Sequence, residues 1–231
     1  MSEIAQYRRP ARGTQPEYLF EDYGSTAKRA PSKSLILLPQ TLSEITGPVF
    51  GHDAVKEGDN DMTLAGPVGE RIIVTGRVID ENGRPVPHTL VEVWQANSAG
   101  RYAHKLDQHD APLDPNFTGA GRVMTDEHGR YRFTSIKPGA YPWLNHFNAW
   151  RPAHIHFSLF GRSFATRLVT QMYFPNDPLL AFDPIYNSAP DAEARKSMIS
   201  SFDWETTQSE FALGYKFDIV LRGRNQTFME K

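Results

Sequence analysis

With 231 residues, no cysteine and a formal net charge of −2, the chain has room for one sizeable core. Disulfides, iron–sulfur clusters and thiolate zinc sites are excluded, and there is no basic footprint for nucleic acid or an anionic membrane surface. Any metal has to be held by His, Tyr, Asp or Glu. The first residues carry no apolar signal region and the longest aliphatic run, residues 35–38, is far too short to cross a bilayer. A cytoplasmic protein acting on a small molecule is the expectation.

In chain order, residues 1–45 are rich in Arg, Pro, Tyr and Ser without periodicity and read as an extended arm. Thr41 and Glu44 have capping-box spacing, and Gly47-Pro48 supplies a stop, so a short helix is expected over residues 41–46. Residues 46–231 are expected to form the main domain. From Arg71 onward the pattern changes to short runs rich in branched and aromatic residues: RIIVTGRVID, HTLVEVWQA, GRVMTD, YRFTSI, AHIHFSLFG, ATRLVTQMYF and YKFDIVLRG. Glu81-Asn82-Gly83, Glu127-His128-Gly129 and Lys137-Pro138-Gly139 punctuate them as turns. Seven such strands predict an all-β fold, an antiparallel β-sandwich with an extended N-terminal arm and a few short helices. A late helix is expected over residues 190–202, from the capping spacing of Ser188 and Asp191 and the shared face of Ala192, Ala194, Met198 and Ile199.

The sharpest chemical feature is Arg151-Pro152-Ala153-His154-Ile155-His156-Phe157. On a strand, residues two apart share a face, so His154 and His156 can converge on one point while Ile155 and Phe157 turn to the core. Taken alone, the pair reads equally as metal ligands or as hydrogen-bonded histidines on a half-exposed strand. The remaining ligands would be a carboxylate, giving a two-His-one-carboxylate iron(II) site, or phenolates. No carboxylate stands at a motif spacing from this strand. Tyr141 follows the Pro138-Gly139 turn and Tyr102 follows Gly100, although a tyrosine taken singly is more often a packed residue with a hydrogen-bonded hydroxyl.

Three segments taken together, Trp94-Gln95-Ala96-Asn97 through Gly100-Arg101-Tyr102, Lys137-Pro138-Gly139-Ala140-Tyr141-Pro142-Trp143, and residues 151–157, resemble the intradiol ring-cleaving dioxygenases in order and spacing. Asp114-Pro115-Asn116-Phe117, Thr170-Gln171-Met172-Tyr173-Phe174 and Phe217-Asp218-Ile219-Val220-Leu221-Arg222-Gly223 are similar, more narrowly, to the iron-bearing subunit of the members that take protocatechuate. The resemblance runs from about Tyr23 to the C-terminus.

It implies an iron(III) cofactor bound by Tyr102, Tyr141, His154 and His156, with hydroxide as a fifth ligand. It further implies that the substrates are protocatechuate and O2, that the product is 3-carboxy-cis,cis-muconate on the β-ketoadipate route of aromatic breakdown, and that a homologous alpha subunit joins this chain in repeated αβ units. By the same resemblance Tyr141 leaves the metal when substrate arrives, Arg151 and Gln171 serve the developing negative charge, Trp143 walls the pocket, and Tyr23 hydrogen-bonds the substrate carboxylate. His104, two residues from Tyr102, is the best decoy ligand and is not assigned to the metal; His52, His88, His109, His128 and His146 sit in loops or turns. Two rivals remain: an intradiol enzyme for another catechol, and a non-catalytic transthyretin-like sandwich, which explains the strand rhythm but gives no reason for two tyrosines and two histidines. Zinc fits a double tyrosinate set poorly.

Overall fold

The computed structural model describes residue 22 and residues 55–143, 150–160 and 168–229. The arm expected over residues 1–45, the helix expected over 41–46, Tyr23, His52 and His146 lie outside the described residues.

Eleven strands are formed among the described residues: β1 (Arg71–Ile79), β2 (Leu90–Gln95), β3 (Ala120–Met124), β4 (Arg130–Ile136), β5 (Tyr141–Pro142), β6 (Trp150–Arg151), β7 (His154–Phe160), β8 (Leu168–Tyr173), β9 (Ser201–Phe202), β10 (Leu213–Lys216) and β11 (Ile219–Val220). Between β8 and β9 come a 3₁₀ turn (Pro178–Phe182) and two short helices, α1 (Pro184–Asn187) and α2 (Ala192–Lys196). Each expected run from Arg71 onward carries a strand, and the all-β sandwich holds.

One sheet has the antiparallel order β3-β2-β7-β8; the other is built on β1, with β4 antiparallel on one edge and β10 and β11 on the other. The pairing of β1 with β10 and β11 is parallel, so this sheet is mixed. The single strand expected over YKFDIVLRG is split at Phe217-Asp218. There the Asp218 carboxylate takes the Arg77 N–H at 2.9 Å, and the Phe217 carbonyl accepts from the Tyr131 hydroxyl. Gly76 faces this bulge, where a Cβ would stand 1.9 Å from the Phe217 oxygen.

The core lies between the sheets. Ile72, Val74, Val78 and Phe133 from one meet Val91, Val93, Ile155, Phe157, Leu159 and Met172 from the other. Phe157 sits at its centre, with ring centroids 5.9 Å from Phe133 and 5.2 Å from Phe217. Alternation along β7 thus sends Ile155, Phe157 and Leu159 inward and leaves His154 and His156 on the opposite face of the sheet.

The helix expected over residues 190–202 is much shorter. Asp191 is its N-cap, accepting from the Ala194 N–H at 2.8 Å, but the helix ends at Ser197. Sheet pairing wins beyond that point: the Tyr173 N–H donates to the Met198 carbonyl and the Ser200 N–H to the Tyr173 carbonyl, drawing the chain onto the edge of β8. Met198 packs with Tyr173, Ala189 and Phe228, and Phe202 pairs with Tyr215 of β10. Ser188, expected to share in the cap, instead terminates α1.

Candidate metal centre

The outer face of the β2-β7-β8 sheet is set by register. His156 stands opposite Trp94 on one side and Gln171 on the other, and His154 stands opposite Tyr173. The Trp94 ring stacks flat on His156, with centroids 4.8 Å apart and 3° between planes, so the imidazole can point only along the sheet face. The His154 Nδ1 lies 2.7 Å from the Pro152 carbonyl, which can only accept. That nitrogen therefore carries the ring proton, and Nε2 presents a lone pair.

Two loops bring tyrosines to this face. After β2 the chain turns through Asn97, whose Oδ1 accepts from the Ala99 and Arg101 N–H groups at 3.0 and 2.9 Å. The Asp107 carboxylate then accepts from the Tyr102 N–H at 2.8 Å. Tyr141 arrives on the β5-β6 ribbon, directly opposite Arg151. The two loops touch backbone to backbone, with the Gly139 N–H donating to the Asn97 carbonyl at 3.0 Å. A Cβ on Gly139 would stand 2.5 Å from the Ser98 oxygen, and one on Gly100, at φ +79°, would stand 2.0 Å from the Ala140 oxygen. The two glycines permit the approach that sets the tyrosines side by side.

The Tyr102 hydroxyl lies 3.1 Å from Nε2 of His154 and 3.1 Å from Nε2 of His156. The three atoms converge closely enough for one cation to touch all of them. Tyr141 meets Tyr102 edge-on with centroids 4.9 Å apart. Among the described residues no group of three His, Cys, Asp or Glu is placed to hold a metal. A cation between the Tyr102 oxygen and the two imidazoles would meet a phenol oxygen, a hard donor that suits a hard, highly charged ion.

The electrostatics agree. Burial, followed by the Arg151 charge, holds the His154 pKa well below the usual histidine range; burial, His154 and Arg151 do the same for His156. Both rings are neutral and available as ligands. Burial, together with the Asp107 carboxylate, raises the Tyr141 pKa, against an opposing effect of Arg151.

Arg151 is buried beside the cluster. Its Nη1 lies 3.0 Å from the His154 Nε2, one N–H of its Nη2 is shared between Gln171 Oε1 at 2.6 Å and the Tyr173 hydroxyl at 3.0 Å, and Trp143 lies under its guanidinium at 5.4 Å. Seven expected residues, Tyr102, Tyr141, Trp143, Arg151, His154, His156 and Gln171, are thus gathered in one place. His104 is exposed, its Nδ1 accepting from the Leu106 N–H at 3.2 Å. Of the other histidines, His88 pairs with Glu127 at 2.8 Å and His128 is exposed in its turn. Sequence reasoning missed the roles of Trp94, Asp107, Tyr173 and Asp183. Only Trp94 had a usable signal, since alternation along its strand puts it on one face with Glu92 and opposite to the core residues Val91 and Val93.

Comparison with known proteins identifies the family. A dioxygenase family model matches residues 45–223, and the model for the N-terminal part of the protocatechuate 3,4-dioxygenase beta subunit matches residues 7–41. The chain is 60% identical over 223 residues to the protocatechuate 3,4-dioxygenase beta chain of Burkholderia cepacia, covering 94% of each. It is 29% identical over 203 residues to the protocatechuate 3,4-dioxygenase alpha chain of Pseudomonas putida, covering 83% of this chain and 96% of that one. The crystal structure of 3-chlorocatechol 1,2-dioxygenase from Rhodococcus opacus 1CP superposes with a TM-score of 0.57 at 27% identity, covering 76% of this chain and 70% of that one. The chain belongs to the intradiol ring-cleaving dioxygenase family, on the branch of the protocatechuate 3,4-dioxygenase beta chains.

Proposed function

We propose that this chain is the iron-bearing subunit of a protocatechuate 3,4-dioxygenase, which uses O2 to open protocatechuate between its two hydroxyl-bearing carbons and yields 3-carboxy-cis,cis-muconate. The observation that carries the reading is the meeting of the Tyr102 hydroxyl with both histidine Nε2 atoms at 3.1 Å, on a chain 60% identical to a beta chain of that enzyme. Tyr102, Tyr141, His154 and His156 would hold iron(III). The chemistry such an ion supplies is withdrawal of electron density from a chelated catechol, so that O2 reacts at the ring.

The protein's own groups provide the rest. Tyr141 would be the ligand suited to leave: its ring meets Tyr102 edge-on, and a phenolate in its half-buried setting beside Asp107 would be a strong base. Its Oη would then accept a proton from a substrate hydroxyl. Arg151 holds a fixed positive charge at His154, where negative charge gathers on the bound ring, and Trp143 forms an apolar wall beside it.

We assign residues 1–45 to an arm and 46–231 to the catalytic sandwich, an arrangement supported by the separate family matches at 7–41 and 45–223. The partner is a homologous alpha subunit: alpha chains are detectable relatives, and Leu106 and Trp150, close in sequence to Tyr102 and next to Arg151, are exposed apolar side chains for it to cover. A cysteine-free composition supports a cytoplasmic location. No described helix is long and apolar enough to cross a membrane.

Mass and absorbance analysis of the product formed from protocatechuate by the co-expressed αβ protein tests the reaction. Colourless carboxymuconate carrying both atoms of O2 is expected; a yellow semialdehyde would mean cleavage outside the diol and a different oxidation state.

A further inference from the structure

Arg151 is oriented from behind. Asp183 lies thirty-two residues further along the chain. Its carboxylate is fully buried, and it grips one edge of the guanidinium, with Oδ2 2.9 Å from Nη2 and Oδ1 3.4 Å from Nε. The edge left over is Nη1, the atom that points at His154. The same Oδ1 accepts the Ile185 N–H at 2.9 Å and so caps α1, while the Asp183 N–H donates to Leu180 at the end of the 3₁₀ turn. The carboxylate is thus fixed by the backbone of two elements. Tyr173 and Gln171 complete the seat: the Tyr173 hydroxyl accepts from Nη2 and lies 2.9 Å from Gln171 Oε1.

We propose that Asp183 is a positioning residue, holding Arg151 so that its Nη1 faces the reacting centre, and that the 3₁₀ turn and α1 serve to carry it there. A guanidinium can rotate about its long stem, and a carboxylate gripping its Nε/Nη2 edge admits one orientation. A fixed dipole or charge aids a reaction only when it is held in place before charge develops. This inference rests on the proposed dioxygenase reading.

The test is a double-mutant cycle in the αβ holoenzyme between Asp183→Asn and Arg151→Gln. Asparagine keeps the cap and the volume but removes the charge, and the double variant removes both buried charges together. In the parent background, Asp183→Asn is expected to lower kcat ten- to a hundredfold, with KM within threefold and iron content unchanged. In the Arg151→Gln background it is expected to change kcat less than twofold. Equal losses in both backgrounds, or no loss in the first, would overturn the proposal.

Thermal unfolding of the metal-free protein gives an independent readout. Asp183→Asn should lower Tm in the parent background and not in the Arg151→Gln background; equal lowering in both counts against the pairing. Should Asp183→Asn not fold, Asp183→Ser, which also retains a cap, takes its place with the same outcomes. An inactive parent holoenzyme would instead count against the dioxygenase reading.

Discussion

In the proposed iron site, His154 and Tyr141 sit at opposite ends of a range of commitment to the ion. The His154 ring is only 2% exposed and tied to the Pro152 carbonyl, with its Nε2 facing both the Tyr102 oxygen and Arg151 Nη1, so the ring is oriented before any ion arrives. Replacing it or His156 with alanine should lower iron affinity by at least ~100-fold, beyond the usual cost of losing an outer partner of a metal ligand; metal analysis after dialysis against a mild chelator reads this out. Tyr141→Phe should keep most of the iron and lower kcat by roughly 10²-fold or more, the scale of a lost general base, as measured in single-turnover experiments.

Burial of a neutral His154 also has a pH signature in the metal-free protein. Its folded pKa is depressed, so the unfolded chain takes up the proton first, near ~6.5. Stability should be at its full value above that pH and fall below it, with His154 contributing up to ~1.4 kcal/mol per unit and the likewise depressed His156 adding to the slope. Denaturant titrations at several pH values, compared with His154→Ala, measure the slope. The two histidines were legible from the two-residue period of a strand. The tyrosines needed the resemblance as well, because nothing local distinguishes them from packed tyrosines. Asp107 and Asp183 were not legible: one acts through a backbone N–H and the other through a partner far along the chain.

Among the elements, the two loops around Gly100 and Gly139 set the site more directly than any strand. A methyl group at Gly139 would collide with the Ser98 carbonyl and push the Tyr141 ribbon away from the Tyr102 loop. Gly139→Ala should destabilise the fold by about 1–3 kcal/mol, the usual cost of overpacking, and weaken iron binding in the same step; chemical denaturation and metal analysis of one preparation check both. The strands were readable because alternation and turn residues agree along each run. Two features escaped that reading. Parallel pairing of β1 with β10 and β11 joins segments far apart in sequence, which local patterning does not encode. The shortening of the helix over residues 190–202 comes from hydrogen bonds to Tyr173, a competing tertiary demand on a segment whose local signals favour helix.

At the scale of the whole molecule, an alpha chain should complete the pocket, so that the isolated chain is expected to turn over protocatechuate at less than about a tenth of the rate of the co-expressed αβ protein, a loss that follows from incomplete positioning. Steady-state assays on matched iron-loaded samples make the comparison. The central claim, that two tyrosines and two histidines of this chain hold iron(III), is tested most directly by the visible spectrum of the purified αβ protein taken together with its iron content. The account predicts a red-brown protein with about one iron per αβ unit, its colour lost in His154→Ala. A colourless protein that remains colourless after iron loading would contradict it.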